Sequence, residues 1–242
     1  IGPYRFWVWA ENLWTVNREF RLRLLTGVGI VVAILSCVAG GALSWSLFLF
    51  VLAILGWREA CSAFALAWPT MGRIPNGMTA LAIVAFPIFG LWSLGWRSGV
   101  YSAEVLVGWF VLVWANDSAA YLVGRRWGRT PIAPALSPGK TWEGWAGGLV
   151  ATVLLGGFVV SNSVHVASRG VWLWVGLALV VSVFGPLGDF MESGLKRKAG
   201  IKDSGELLPG HGGVLDRFDS HFFAAPVAAI LQPCVSYHLS SL

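Results

Sequence analysis

Charge is what this sequence has least of. Only 12% of its 242 residues are Asp, Glu, Lys or Arg, against about 25% in an ordinary soluble domain. With 56% hydrophobic residues and apolar runs as long as a bilayer core is thick, this excludes a water-soluble globule and describes an integral membrane protein. Cysteine is scarce too. Cys37, Cys61 and Cys234 lie far apart in apolar surroundings and form no CxxC, so they read as small buried side chains with no disulfide framework or zinc site. A basic recognition helix and an RNA-binding signature are both lacking, so nucleic acid is not a partner. No Ser/His/Asp or Cys/His triad, internal repeat or low-complexity linker is visible. In residues 1–23 the basic side chains follow an aromatic stretch instead of preceding an apolar core, unlike a signal peptide.

What is present is a series of apolar spans. Residues 1–23 read as an interfacial or cytoplasmic helix. About seven spans follow, at 24–41, 43–66, 78–96, 102–124, 143–161, 171–188 and 214–236, each near the ~20 residues a bilayer core requires. The 15 Trp residues suit interfacial anchoring, with some packed inside. The fold expected is a single all-α polytopic membrane domain over 1–242, with its chemistry between 100 and 225. Orientation follows from the basic residues. With a cytoplasmic N-terminus, Arg5, Arg18, Arg21, Arg23, Arg73, Arg125, Arg126, Arg129, Lys140, Lys196, Arg197, Lys198 and Lys202 fall inside. Only Arg97 and Arg169 fall outside, a strong positive-inside bias. The polar segments 125–142 and 189–213 then share the cytoplasmic face.

The second segment concentrates the charge. Asp189 ends the sixth span. Asp216 and Asp219 are three apart and share a face if a helix starts there. Unpaired carboxylates near a membrane cost about 2–3 kcal/mol each, and a divalent cation offsets that. An oxygen-only set suits Mg²⁺; the alternative is structural ion pairing with Arg217 and Lys196. If the helix continues past Asp189, then Ser193 and Lys196 stack on the same face, and Lys196 and Arg197 can hold phosphate oxygens. His211-Gly212-Gly213 precedes the Asp216 turn, where glycines allow backbone amides to converge on an anion; the alternative is a tight turn.

The first segment reads Ser137-Pro138-Gly139-Lys140-Thr141-Trp142-Glu143-Gly144. Its Gly139-Lys140-Thr141 is no P-loop, because the first glycine would fall on Pro134 and no strand is expected before it. Ser137, Lys140 and Thr141 at a helix start still make a phosphate cradle. Asn116-Asp117, with Tyr121 and Gly124, lies on one side of the fourth span; an intramembrane Asp is functional by default, with a helix–helix hydrogen bond as the alternative. Gly144 and Gly148 have GxxxG spacing, which implies close helix packing.

The run Ser193-x-Leu195-Lys196-Arg197, Lys202-Asp203-x-Gly205, Leu208-Pro209-x-His211-Gly212-Gly213-Val214-x-Asp216-Arg217-Phe218-Asp219 resembles the signature of phosphatidate cytidylyltransferases (CDP-diacylglycerol synthases). The Asn116-to-Gly124 and Ser137-to-Gly144 segments resemble that family's other recurring stretches, although Gly139 stands where Lys is more usual. The resemblance covers about residues 100–225. It implies an enzyme of phospholipid biosynthesis that makes CDP-diacylglycerol and pyrophosphate from CTP and phosphatidic acid. It also implies Mg²⁺ dependence, with a second cation as an option, and a homodimer in a bacterial inner (plasma) membrane. Asp189 and Asp216 would then hold Mg²⁺ against the CTP phosphates, and Asp219 would complete or orient that site. Lys196 would join the three as a catalytic group. The substrates would contact Asn116, Asp117, Ser137, Lys140, Thr141, Ser193, Arg197, Lys202, Asp203, His211, Gly212, Gly213 and Arg217. The chemistry needs no general base, because a lipid phosphate is already ionised near neutral pH. Competing readings are a lipid kinase or a cytidylyltransferase for another lipid phosphate, and, outside enzymes, an ion-coupled transporter with acids near the midplane.

Overall fold

The computed structural model describes residues 3–97, 99–160, 171–208, 210 and 212–240. Helix α1 is Pro3–Ala39, α2 Ala42–Ala67, α3 Arg73–Leu94 and α4 Ala103–Trp127. Helix α5, Trp142–Leu154, continues as a π-helical stretch, Leu155–Val160. Helix α6 is Val171–Ala199, α7 Leu215–Phe218 and α8 His221–Ser240. Among the described residues, five segments are long and apolar enough to cross a membrane: Arg21–Ala39, Ala42–Ala67, Arg73–Leu94, Ala103–Trp127 and Val171–Ala199. Together they make this an all-α membrane protein in architecture.

Several boundaries differ from the sequence expectations. The first 23 residues are not a separate helix, because α1 runs unbroken into the first span; nothing in that stretch breaks a helix, and its only early proline sits at the helix start. The sixth span does not end at Asp189: α6 carries on for two and a half turns to Ala199 and ends on Gly200, at a φ of 71°. The expected seventh span is broken at Asp219-Ser220, between α7 and α8. The 125–142 segment is no plain loop. Strands β3, Pro131–Ala133, and β4, Ser137–Thr141, pair antiparallel with Pro131 opposite Thr141. The prolines Pro131 and Pro138 are tolerated because a two-stranded ribbon consists only of edges. A smaller ribbon, β1 (Trp96–Arg97) with β2 (Val100–Tyr101), joins α3 to α4.

The core lies where α2, α3, α4, α6 and α8 meet. Trp45, Trp109 and Trp174 are fully buried there, so a good part of the tryptophan content packs inside. Glycines permit the closest crossings. The Trp174 ring of α6 lies on Gly108 of α4, and Gly90 of α3 faces the Ala225–Pro226 backbone of α8. A Cβ on Gly144 would stand 2.8 Å from the Ala120 carbonyl, and one on Gly148 would stand 3.0 Å from that of Asn116. The GxxxG pair thus makes the close α4–α5 seam its spacing predicts. Outward-facing Leu43, Phe50, Ile74, Phe89 and Phe158 remain exposed, as side chains facing acyl chains should. Cys37 and Cys61 are free, half-buried thiols.

Candidate active site

The site begins at the α4–α5 seam. Buried Asn116 accepts from the Thr152 hydroxyl of α5 at 3.4 Å and donates to its neighbour Asp117 at 3.4 Å. Asn116 therefore makes the helix–helix hydrogen bond, and Asp117 is left on the side that lines a cavity of about 220 Å³. Tyr121, Lys140, Thr141 and Asp189 line the same cavity. Thr141 is the N-cap of α5, its hydroxyl accepting from the Gly144 amide, as capping threonines do. Glu143 clasps the ribbon to α5. Its carboxylate takes the Arg129 and Thr130 amides and the Thr130 hydroxyl at 3.0–3.2 Å. Ser137 opens β4 opposite Ala133.

The strand presents Lys140 to α6, where its ammonium pairs with Asp189 and lies 4.8 Å from the centre of the Phe190 ring, within cation–π range. The other Asp189 oxygen accepts from the Ser220 hydroxyl at 2.8 Å, and the Ser220 amide donates to Asp219 at 2.8 Å. Ser220 thus bridges the two carboxylates. This is possible because Gly188 lets the Asp219 carbonyl lie against the α6 backbone, a place where no Cβ fits.

One to two turns further along α6 is a second charged group. The Lys196 ammonium pairs with Glu192 at 2.7 Å and with Asp216 at 2.6 Å. The second Asp216 oxygen accepts from the Gly213 amide at 2.7 Å, the Ser204 amide at 2.9 Å and the Ser204 hydroxyl at 3.0 Å. Burial pushes the Asp216 carboxyl up, but hydrogen bonds with Glu192, Lys196 and the two amides outweigh it and leave the group lowered to about 2. The carboxylate is saturated by these donors, which fold the 203–214 loop over it.

The carboxylates expected to share one metal therefore divide. Asp189 and Asp219 meet through Ser220, while Asp216 is engaged by Lys196 and the glycine loop. Among the described residues, no group of three or more His, Cys, Asp or Glu side chains is placed to hold a metal ion. Asp189 lines the cavity and Asp219 stands beside it through Ser220, oxygen donors of the hard kind that Mg²⁺ takes from one or two carboxylates. Of the other expected residues, Ser193 is half-buried on α6, and Arg197, Lys202 and Asp203 are exposed around the loop. Gly212 has the left-handed φ of 79° that favours glycine. Arg217 is exposed and borders an apolar groove. His211 lies outside the described residues.

Sequence reasoning missed Glu59. It stands in α2, far from the polar segments in the chain. Its carboxylate accepts from the Val214 and Leu215 amides at 3.0 Å each and from the Ser204 hydroxyl at 3.1 Å. It thereby caps the start of α7 with a negative charge. A Cβ on Gly205 would stand 2.5 Å from its Oε1, and one on Gly213 would fall as close to its other oxygen, so a side chain at either glycine would displace the Glu59 carboxylate. The signal was available: an acid within an otherwise apolar span is a functional-site hypothesis by default. Glu192 and Ser220 were missed as well.

Residues 77–235 match the sequence profile of the Cytidylyltransferase family. Three relatives carry the name phosphatidate cytidylyltransferase. That of Staphylococcus aureus is 46% identical over 126 residues, and that of Staphylococcus epidermidis is 45% identical over 122. That of Staphylococcus haemolyticus is 44% identical over 122. Each match covers 50% of this chain and 46% of the relative. The chain thus spans about half the length of the curated relatives it matches.

Proposed function

The chain belongs to the cytidylyltransferase family, and from that membership we propose that it transfers CMP from CTP to phosphatidic acid, forming CDP-diacylglycerol and releasing pyrophosphate. One observation carries this reading. The lysine of one polar segment, Lys140, pairs with the acid that opens the other, Asp189, at the cavity between them. A phosphate oxygen of the lipid attacks the α-phosphorus of CTP. The new P–O bond forms as the bond to the β-phosphate oxygen breaks, and pyrophosphate leaves with that electron pair. No proton need be removed from the nucleophile. The obstacle is the approach of two polyanions, and positioned cations lower it.

Lys140 and Lys196 supply fixed positive charge on the two flanks of the Asp189–Asp219 turn. Each is held there by a carboxylate that phosphate oxygens can replace as partner. Asp189 and Asp219 would hold Mg²⁺, and Asp216 would join only by giving up bonds to its loop. A bound Mg²⁺ would neutralise phosphate charge as the leaving group develops. Asp117, Tyr121 and Thr141 line the cavity in which the triphosphate would lie. Around this site, α5 with its π-helical continuation and α8 supply two further crossings, for seven in all. The positive-inside bias of the basic residues supports a cytoplasmic-facing site; the proposal sets it in a bacterial inner membrane, with a homodimer as the working unit.

The decisive experiment supplies the purified, reconstituted protein with CTP, phosphatidic acid and MgCl₂ and follows pyrophosphate and lipid products. A CDP-lipid formed in equal amount with pyrophosphate, and abolished by EDTA, is expected. A phospholipid formed with nucleoside diphosphate would make the protein a kinase. Phosphatidic acid uptake without turnover would make it a transporter.

A further inference from the structure

The Asp216–Asp219 turn has a second face. Sharing no lining residue with the polar cavity, an apolar groove of about 410 Å³ runs between α1 and α2 and is bounded at one end by the turn and the loop before it. Its size and apolar lining are those of a ligand site. Its α1 wall is Thr26, Gly29, Ile30 and Ala33, its α2 wall includes Leu52, and Arg217 and Phe218 form the closed end. Both walls belong to segments long and apolar enough to cross a membrane, so the groove lies at bilayer depth beneath the polar groups. Thr26 turns its hydroxyl back to the Leu22 carbonyl at 2.8 Å. Arg217 lines the groove at the turn, and the stem of Arg23 lies near Gly210 of the loop, 3.0 Å from where a Cβ would stand. The chain reaches Asp219 one residue beyond Phe218.

We propose that this groove holds an acyl chain of the lipid substrate, with Arg217 at the end where the lipid's phosphate meets the Asp216–Asp219 turn. The proposal rests on the reading above that a lipid phosphate is the nucleophile. It assigns the two substrates to opposite faces of one turn, the nucleotide to the polar cavity and the lipid to the apolar groove. An anionic head at the arginine and a hydrocarbon tail between the α1 and α2 walls complement the two ends of the groove. A neutral lipid matches only the tail end. Gly29 keeps the groove open, for nothing lies within 4 Å of the position its Cβ would take.

That open space makes Gly29→Leu a filling variant that requires no backbone shift, with Gly29→Ala as its control. In reconstituted full-length chain, Gly29→Leu should raise KM for dioleoyl phosphatidic acid about tenfold. KM for CTP, and kinetics with dihexanoyl phosphatidic acid, should stay as in wild type. Unchanged dioleoyl kinetics, or equal losses with both lipids, would overturn the proposal. A second readout needs no turnover. Phosphatidic acid bearing a diazirine in mid-chain should label peptides of α1 and α2 around Gly29 and Leu52. Unlabelled phosphatidic acid should compete, phosphatidylcholine should not, and Gly29→Leu should lose the label. Even labelling of all lipid-facing helices, with or without the substitution, would refute the groove. If wild type labels there yet makes no CDP-lipid, the groove stands and the proposed activity falls.

Discussion

Glu59 accepts a hydrogen bond from the amide of Leu215, 156 residues further along the chain, at 3.0 Å. With the Val214 amide and the Ser204 hydroxyl it fixes the loop whose donors saturate Asp216. Glu59→Gln keeps the volume but offers one acceptor oxygen instead of two and turns an NH₂ toward a donor. An unsatisfied donor of this kind costs about 1–3 kcal/mol. The variant is expected to lose a few degrees of thermal stability in detergent and to lose about tenfold or more in the proposed turnover. Ser204→Ala shares the same network, so its effect and that of Glu59→Gln should add to less than their sum in a double-mutant cycle. Full additivity would show that Glu59 does not act through the loop.

Lys140 and Asp189 form one unit across the β4–α6 contact. Asp189→Asn can still accept from Ser220 but loses the charge that Lys140 meets. A loss of about a hundredfold or more in CDP-lipid formation is expected from either Asp189→Asn or Lys140→Ala, in the range of deleting one fixed electrostatic group. Because the two act together, the double variant should be little worse than the poorer single one. Near-normal turnover by purified Asp189→Asn at saturating MgCl₂ would remove it from the proposed metal site, and unchanged kinetics for both substrates in Lys140→Ala would separate the ribbon from the chemistry.

Asp216 predicts an acid limb. Its carboxyl lies below its ordinary 3.8, at about 2. A group lowered on folding contributes stability that is fully present above the unfolded value and is lost as pH falls through the folded one. The stability difference between wild type and Asp216→Asn should therefore shrink as pH falls between about pH 4 and 2. Thermal melts in detergent across that range read it directly. A difference that grew on acidification would contradict the hydrogen-bonded, ionised Asp216.

The apolar runs made the membrane class and most of the helices legible, because a 20-residue span is set by composition alone. The glycine pair of α5 was legible for the same local reason. The divided carboxylates were not. Spacing put Asp216 and Asp219 on one helical face, but the chain breaks at Ser220, and that break is dictated by Gly188 receiving the Asp219 carbonyl, a contact between distant segments. Glu59 did carry a signal, an acid within an apolar span, but its partners lie across the whole chain, so no local motif ties it to the site. The β3–β4 ribbon was hidden by its prolines, which argue against a strand unless both strands are edges.

That break offers the sharpest test of how the site is built. At Gly188 a methyl group would fall on the Asp219 carbonyl, and its next neighbour, the Asp219 carbonyl carbon, would be 3.2 Å away. The obstacle is backbone, so no side chain can turn aside to relieve it. Gly188→Ala must push α6 and the Asp219–Ser220 turn apart by about an ångström, an overpacking cost of about 1–3 kcal/mol or more. At Gly185 a Cβ would meet only Ser220, at 3.7 Å, an ordinary contact, so Gly185→Ala should be close to neutral. The Asp189–Ser220–Asp219 bridge depends on the first spacing and not on the second. Gly188→Ala should thus lose turnover well beyond its loss of stability and need more Mg²⁺ for half-maximal rate, while Gly185→Ala keeps both near wild type. Activity and the MgCl₂ titration, measured on variants purified as folded protein, decide it: equal behaviour of the two glycines would mean that the turn's contact with α6 does not set the site.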